Sequence, residues 1–175
     1  MRIAIIGAGN VGATLGRRFA DAGHVVIHGV RSPDDSKHAG IARDGVTLDT
    51  IAGAVASADV AILATTWAAA QDAVRAAGNF GGKVLIDATN PIGPGMVLTH
   101  GTTDSGTEQV ARWAVNARVV KAFNSIGVEV MANAQFGADR AVLFTAGDDA
   151  AACDIVATLA SDIGFLPVTL GPLVR

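Results

Sequence analysis

Residues 3–12 read IAIIGAGNVG. The apolar run over residues 3–6 is typical of a short strand that is buried on both faces, and it stops at Gly7. A helical pattern begins directly afterwards, with Val11, Leu15 and Phe19 on one face. The stretch therefore predicts a strand, a glycine-rich turn and a helix in immediate succession.

The turn has the spacing G-x-G-x-x-G, and its residues are Gly7, Ala8, Gly9, Asn10, Val11 and Gly12. Between a strand and a helix, this spacing is the fingerprint of a dinucleotide site. Gly7 permits the tight turn, Gly9 lets the backbone approach a pyrophosphate, and Gly12 lets the helix pack closely on the strand. Backbone N–H groups and the helix dipole favour the anion. The alternative is a glycine turn with a structural role only.

Strands and helices alternate along the rest of the chain. Further strands are predicted at residues 25–27 (ending near 30), 46–48, 60–64, 84–87, 118–122, 141–145 and 165–168. Helices are predicted at residues 10–22, 49–58, 67–77, 108–115 and 149–161, and a long loop at residues 90–106. Asn10 is predicted to cap the first of these helices and Asp49 the second. The pattern predicts one α/β domain over residues 1–175, a Rossmann-type doubly wound, mostly parallel sheet with helices on both faces.

The composition excludes several classes of protein. Of the 175 residues, 50% are hydrophobic and 17% charged, which is too apolar for a disordered chain. The net charge of −3 offers no basic surface to nucleic acid. Cys153 is the single cysteine, so an internal disulfide is impossible. Because the apolar runs are short and no targeting segment is recognised, we expect a cytoplasmic protein with no membrane or nucleic-acid partner.

The end of the predicted second strand indicates which dinucleotide is bound. NAD-binding folds usually place an acidic residue there, to bond the ribose 2′-hydroxyl. This chain instead has Val30, Arg31 and Ser32. The Arg31 guanidinium can pair with a 2′-phosphate and Ser32 can donate to it. The sequence therefore favours NADP(H) over NAD(H), the alternative being that Arg31 is an ordinary solvated arginine.

Small polar groups follow three neighbouring predicted strands. The three segments are Thr65, Thr66 and Trp67, then Ala88, Thr89, Asn90 and Pro91, and then Phe123, Asn124 and Ser125. Ligands of open α/β sheets bind at the carboxyl ends of the strands, so we expect these segments to surround the nicotinamide. Each segment alone could equally be a turn or a helix cap.

No catalytic acid or base and no metal site is evident. Asp87 ends a predicted strand and is interpreted as a structural cap, and Lys121 is placed at a sheet edge. The four histidines, at 24, 28, 38 and 100, are scattered and not paired with any obvious carboxylate. Direct hydride transfer between two bound redox cofactors would need only positioning and electrostatics from the protein.

Several longer segments resemble the coenzyme F420-dependent NADP oxidoreductases, a deazaflavin-dependent family. The similar segments are IAIIGAGNVG at residues 3–12, GVRS at 29–32, ATTW at 64–67, IDATNP at 86–91, VVKAFNS at 119–125, FTAGDD at 144–149 and GFLPVTLGPL at 164–173. In that family hydride passes directly between NADPH and the deazaflavin ring, and no side chain is strictly needed as acid or base.

The resemblance also implies site residues and partners. Residues 8–11 would hold the pyrophosphate, and Val30 with Arg31 the 2′-phosphate end. Around the nicotinamide it places Thr66, Asn124, Ser125, Ile126, Gly127 and Val128. It implies a homodimer, with coenzyme F420 or a flavin as acceptor.

The chain departs from the family pattern in two ways. A single arginine follows Val30 where the family has serine and two arginines, and the sequence ends at Arg175, soon after the Gly-Pro-Leu segment. We therefore expect a pocket that is more open, or that a partner completes. Two other functions remain open: reduction of a small carbonyl or imine, and a non-catalytic NADP-binding sensor.

Overall fold

The computed structural model describes residues 1–38, 40–43 and 45–173. They form an eight-stranded sheet and a separate two-stranded hairpin. The strands are β1 (Arg2–Ile6), β2 (Val25–Val30), β3 (Val46–Thr50), β4 (Val60–Leu63), β5 (Val84–Asp87), β6 (Arg118–Lys121), β7 (Gln135–Phe136), β8 (Asp139–Arg140), β9 (Val142–Gly147) and β10 (Leu166–Thr169). The helices are α1 (Asn10–Asp21), α2 (Ile51–Ser57), α3 (Trp67–Ala77), α4 (Gly106–Trp113), α5 (Val128–Ala132) and α6 (Ala150–Asp162).

The strand order of the large sheet is β10-β9-β6-β5-β4-β1-β2-β3. Strands β1 to β6 pair in parallel, whereas β9 runs antiparallel to β6 and pairs in parallel with β10. Since β1 lies between β2 and β4, the order reverses beside β1, which is the switch point where ligands of such sheets bind. The expected doubly wound, mostly parallel sheet is confirmed.

Both faces of the sheet are buried, as the apolar strands predict. Ile3 and Ile5 of β1 belong to one core cluster, which also includes residues of α1, α5 and α6. Ala4 and Ile6 belong to a second cluster, with residues of α2, α3 and α4. Alternate side chains of one strand therefore pack against different helical layers.

Two helices begin differently from the expectation. Gly9, not Asn10, is the N-cap of α1, so no side chain covers the first N–H groups of that helix. Asp49 belongs to β3, and Thr50 caps α2 by accepting a hydrogen bond from Gly53 N at 3.1 Å. Both predicted caps, Asn10 and Asp49, are wrong by one residue. Asp49 instead pairs with Gly29 in the register of β2 and β3.

The long loop predicted over residues 90–106 contains some local structure. A short 3₁₀ turn spans Pro94–Met96, and Ile92 forms a bridge with Leu98. Helix α4 then begins at Gly106, two residues earlier than predicted. Its start is fixed by a capping box, in which Glu108 N donates to Ser105 Oγ and the Glu108 side chain accepts from Ser105 N.

Candidate cofactor-binding site

A cavity of about 810 Å³ opens at the carboxyl ends of β1, β2, β4 and β5. This volume is within the usual range of small-molecule sites, about 300–1,000 Å³. Its lining residues are Ile6, Gly7, Ala8, Gly9, Asn10, Val11, Gly29, Val30, Arg31, Ser32, Lys37, His38, Ile51, Ala64, Thr65, Thr66, Ala68, Ala69, Asp72, Ala73, Ala76 and Ala88. The walls are therefore mainly backbone and small apolar side chains, with a few polar groups.

The glycine turn forms one wall, and each of its three glycines is needed for a different reason. Gly7 has φ +114°, and a Cβ there would lie 2.6 Å from the Ala64 carbonyl oxygen. A Cβ on Gly12 would lie 2.6 Å from the Gly7 carbonyl oxygen, beneath the turn. A Cβ on Gly9 would meet no atom within 4 Å. Gly9 therefore borders open space, as expected of a cradle that a phosphate group fills.

Helix α1 points its N-terminus at this cavity. Gly9, Asn10 and Val11 line it, and the N-cap Gly9 carries no side chain that could satisfy the first N–H groups. Unsatisfied N–H groups and the positive end of a 12-residue helix dipole both favour a bound anion. The residues present thus fit the pyrophosphate of a dinucleotide.

Polar side chains, two of them the cations Arg31 and Lys37, line the end of the cavity beside β2. Arg31 and Ser32 line it as expected, and the structure adds Lys37 and His38 from the short 3₁₀ turn Ser36–His38. Lys37 Nζ lies 2.7 Å from Asp35 Oδ2, and the hydrogen bond from Lys37 lowers the pKa of the Asp35 carboxyl. Sequence reasoning missed Lys37 and His38, because a turn of three residues leaves no periodic signal.

Small side chains line the opposite end, at the ends of β4 and β5. They are Ala64, Thr65, Thr66 and Ala88. The Thr65 hydroxyl oxygen is buried and has no hydrogen-bond partner among the residues that the structure describes. A buried hydroxyl without a partner costs free energy, so a ligand that bonds to Thr65 is favoured.

Other predicted site residues lie outside this cavity. The Trp67 ring packs 5.4 Å from that of Trp113 and 5.2 Å from that of His100, measured between ring centroids. Gly12 lies beneath the turn. The members of the segments 89–91 and 124–128 do not line the cavity either. Two of them pair with each other, since Asn90 Nδ2 donates to the Asn124 carbonyl at 2.9 Å and Asn124 Nδ2 donates to Asn90 Oδ1 at 3.3 Å.

A buried ion pair, Asp87 with Lys121, holds the residue before Asn90 in place. Asp87 is fully buried and its Oδ2 accepts from Lys121 Nζ at 3.0 Å and from the Thr107 hydroxyl at 2.8 Å. Its Oδ1 accepts from the N–H and the hydroxyl of Thr89, at 2.9 and 2.7 Å. Lys121 also donates to the Thr89 carbonyl. The pair therefore fixes the turn that leads into Asn90.

The sequence had suggested that Lys121 lies at a sheet edge, and this prediction is wrong. Strand β6 lies between β5 and β9, and the register places Lys121 directly beside Asp87. Burial lowers the pKa of Lys121, and the neighbouring Asp87 carboxylate opposes that effect. Asp87 and Lys121 are the last residues of two different strands, β5 and β6, so only the strand register shows that they meet.

Phe123, the residue before Asn124, has an unusual backbone conformation. It is fully buried and has φ +67°. Non-glycine residues in this region are strained, and such strain is commonly found at functional sites. Phe123 packs edge-on against the rings of Phe19 and Phe165, which hold it in this conformation.

The remaining features concern groups outside the cavity. His24, which the sequence left unpaired, has its Nε2 3.2 Å from Asp162 Oδ2, between the end of α1 and the end of α6. Within the described part of the chain, we find no group of three or more metal-ligating side chains. Of the helices in that part, none combines the length and apolar character that a membrane span requires.

Comparison with known proteins identifies the family. Residues 2–91, just over half of the chain, match the family model described as NADP oxidoreductase, coenzyme F420-dependent. The F420-dependent NADP reductase of Methanothermobacter thermautotrophicus is 33% identical over 186 residues, covering 93% of this chain and 77% of that protein. The metalloreductase STEAP3 of Rattus norvegicus is 28% identical over 98% of this chain, which spans only 34% of its length.

A solved structure agrees with these relatives. The crystal structure of a proposed F420-dependent NADP-reductase from Arthrobacter sp. FB24 is 34% identical, with a TM-score of 0.90, and the match covers 99% of this chain and 86% of that one. The fold, the glycine cradle and the sequence similarity point the same way. The chain belongs to the coenzyme F420-dependent NADP oxidoreductase family and is an NADP-dependent oxidoreductase.

Proposed function

We propose that the protein transfers a hydride directly between NADPH and a deazaflavin- or flavin-like acceptor. The observation that carries the proposal is the composition of the cavity. One end holds Arg31 and Lys37, whereas the walls at the ends of β4 and β5 are Ala64, Thr65, Thr66 and Ala88, none of which titrates near neutral pH. Transfer between two redox rings requires no proton donor from the protein.

Each part of the site has a proposed task. Residues 8–11 bind the pyrophosphate, Val30, Arg31 and Ser32 bind the 2′-phosphate end, and Thr65 and Thr66 bond to the nicotinamide carboxamide. Bound NADPH supplies the hydride. The segments 89–91 and 124–128, fixed by the Asn90–Asn124 pair, border the nicotinamide on the acceptor side and hold the second ring in place.

An acceptor panel tests this function. The protein is mixed with NADPH and, separately, a deazaflavin, a flavin and a ferric chelate, and the absorbance of the reduced nicotinamide is followed. We expect oxidation with the deazaflavin or the flavin. NADPH binding without turnover on any acceptor would instead indicate a sensor, and turnover only with the ferric chelate a metal reductase, the activity named for STEAP3.

We also propose that the protein acts as a homodimer in the cytoplasm. Support for the dimer comes from the β9–β10 part of the sheet, where Val142, Phe144, Leu166 and Val168 are all 38–48% exposed. Val142 pairs with Leu166 and Phe144 with Val168, so the four side chains form one block. Contiguous apolar patches of this kind commonly mark protein interfaces. The single cysteine, Cys153, is buried and free, which agrees with a reducing compartment such as the cytoplasm. Cell fractionation tests this location.

A further inference from the structure

His28 belongs to β2, and its side chain lies beneath the glycine turn and against α1. It is 1% exposed and pairs in register with Ile5 of β1. A Cβ on Gly16 of α1 would lie 2.5 Å from His28 Nε2. The imidazole therefore occupies space that is available only because α1 carries a glycine at this point, and the backbone of the helix confines the ring.

The ring makes one hydrogen bond to the turn. His28 Nδ1 lies 3.0 Å from the Gly7 carbonyl oxygen. A carbonyl oxygen can only accept, so Nδ1 carries the hydrogen. Burial lowers the pKa of His28, which keeps the imidazole neutral and in this single tautomer.

The hydrogen bond from His28 to the Gly7 oxygen also determines the direction of the next N–H group, that of Ala8. The Gly7–Ala8 peptide is trans, like every peptide bond that the structure describes. In a trans peptide the C=O and the following N–H point in opposite directions. Holding the Gly7 oxygen towards His28, beneath the turn, thus turns the Ala8 N–H the other way, and Ala8 lines the cavity.

We propose that His28 is a positioning residue for dinucleotide binding: it fixes the Gly7–Ala8 peptide so that the Ala8 N–H faces the pyrophosphate. Such a device is useful because glycine tolerates many backbone conformations and Gly7 has no side chain to limit them. The Gly7 N–H is bonded to the Gly29 carbonyl at 3.1 Å, so His28 fixes the peptide on the other side of the same residue. The inference rests on the proposed placement of the pyrophosphate on residues 8–11.

Two substitutions at His28 separate the hydrogen bond from the filled volume. The amide nitrogen of asparagine can take the place of Nδ1, so His28→Asn keeps the donor, whereas His28→Leu fills the space without one. We expect the dissociation constant for NADPH, measured by calorimetry, to rise about three- to tenfold in His28→Leu, the value of one hydrogen bond. In His28→Asn it should stay within about twofold of the wild type.

A second ligand shows where the loss arises. Adenosine 2′-phosphate carries the 2′-phosphate but no pyrophosphate, so its affinity should be the same in all three proteins. As a matched control, Val26→Ala removes a fully buried side chain two residues earlier on the same strand. It should lower the unfolding temperature and leave NADPH affinity unchanged.

The outcomes separate a failure of the proposed function from a failure of the role proposed for His28. If the wild-type protein does not bind NADPH, the proposed function fails, and with it the basis of this inference. Normal NADPH binding by His28→Leu overturns the role of His28 alone. Equal weakening of both ligands in His28→Leu, or equal weakening of NADPH binding in His28→Leu and Val26→Ala, also overturns it, because the effect would then be a general loss of structure.

Discussion

Arg31 is the side chain that we expect to set the preference for NADP(H). Arg31→Ala should weaken NADPH binding by about 10- to 100-fold, since hydrogen bonds to charged groups contribute about 1.5–3 kcal/mol. NADH lacks the 2′-phosphate, so its affinity should change little. Parallel titrations of both cofactors measure this, and an unchanged ratio of the two dissociation constants would show that Arg31 is only a solvated surface residue.

Lys37 provides the matched comparison at the same end of the cavity. Its side chain is 62% exposed and already paired with Asp35. A solvated, paired cation contributes less than a guanidinium that binds a phosphate in a fixed geometry. Lys37→Ala should therefore weaken NADPH binding in the same direction as Arg31→Ala but by a smaller factor.

His28 should also make the stability of the protein depend on pH. Its pKa is lowered from 6.5 in the folded state, so below pH 6.5 the unfolded chain takes up a proton at His28 that the folded chain does not. This contribution to the free energy of unfolding is present above pH 6.5 and falls as the pH drops towards the folded pKa, by at most about 1.4 kcal/mol per pH unit.

The comparison with His28→Asn isolates this contribution. Urea unfolding at several pH values between neutral and mildly acidic should show the wild type losing stability faster than the variant, because the other titrating groups are common to both. Parallel curves would mean that the folded protein accommodates a charged imidazole at position 28.

The glycine turn, as an element, should fail in two different ways. Gly9→Ala places a methyl group in open space at an ordinary φ of −77°, so stability should be nearly unchanged. That space is where the pyrophosphate is proposed to lie, and NADPH affinity should fall by more than about tenfold. Gly12→Ala instead directs its methyl group at the Gly7 carbonyl, and should lower the unfolding temperature itself.

Thermal unfolding and NADPH titration of the same two variants test this contrast. A Gly9→Ala protein that binds NADPH normally would contradict the placement of the pyrophosphate. A Gly12→Ala protein of unchanged stability would show that α1 can move away from β1 without cost.

Sequence patterns predicted the elements that are long or strongly apolar. The strands β1 to β6 and the helices α1, α3 and α6 have clear periodicity, and their order indicated the fold. Helix α5 has five residues and β7 and β8 have two each, so no repeat is available to reveal them. Helix α5 depends on tertiary contacts, such as those of Met131 in the core, whereas the exposed strands β7 and β8 pair with each other.

The parts of the candidate site that local sequence motifs encode were predictable. The glycine turn and Arg31 come from local motifs, and they line the cavity together. The pairing of Asp87 with Lys121 depends on the register of β5 and β6, and that of His28 with Gly7 on the register of β1 and β2. No local motif records a register, so these contacts became visible only in the folded chain.

At the scale of the whole molecule, the proposed homodimer is open to a direct test. Phe144→Glu places a charge in the exposed block on β9 and β10 and should convert a dimer to a monomer, as measured by light scattering after gel filtration. Val115→Glu is the matched control, since Val115 is 56% exposed outside that block. A wild-type protein that elutes as a monomer, or a Phe144→Glu dimer, would contradict the assignment of this surface.

The residues that line the cavity all come from the first half of the chain. All its lining residues fall between Ile6 and Ala88, whereas the asparagine pair extends to Asn124 and the exposed apolar block begins at Val142. The residues proposed to bind NADPH and those proposed to border the acceptor or form the dimer are thus encoded in successive stretches of the gene. A crossover after the codon for Ala88 would keep every lining residue of the cavity on one side, but it would separate Asp87 from its buried partners Thr107 and Lys121.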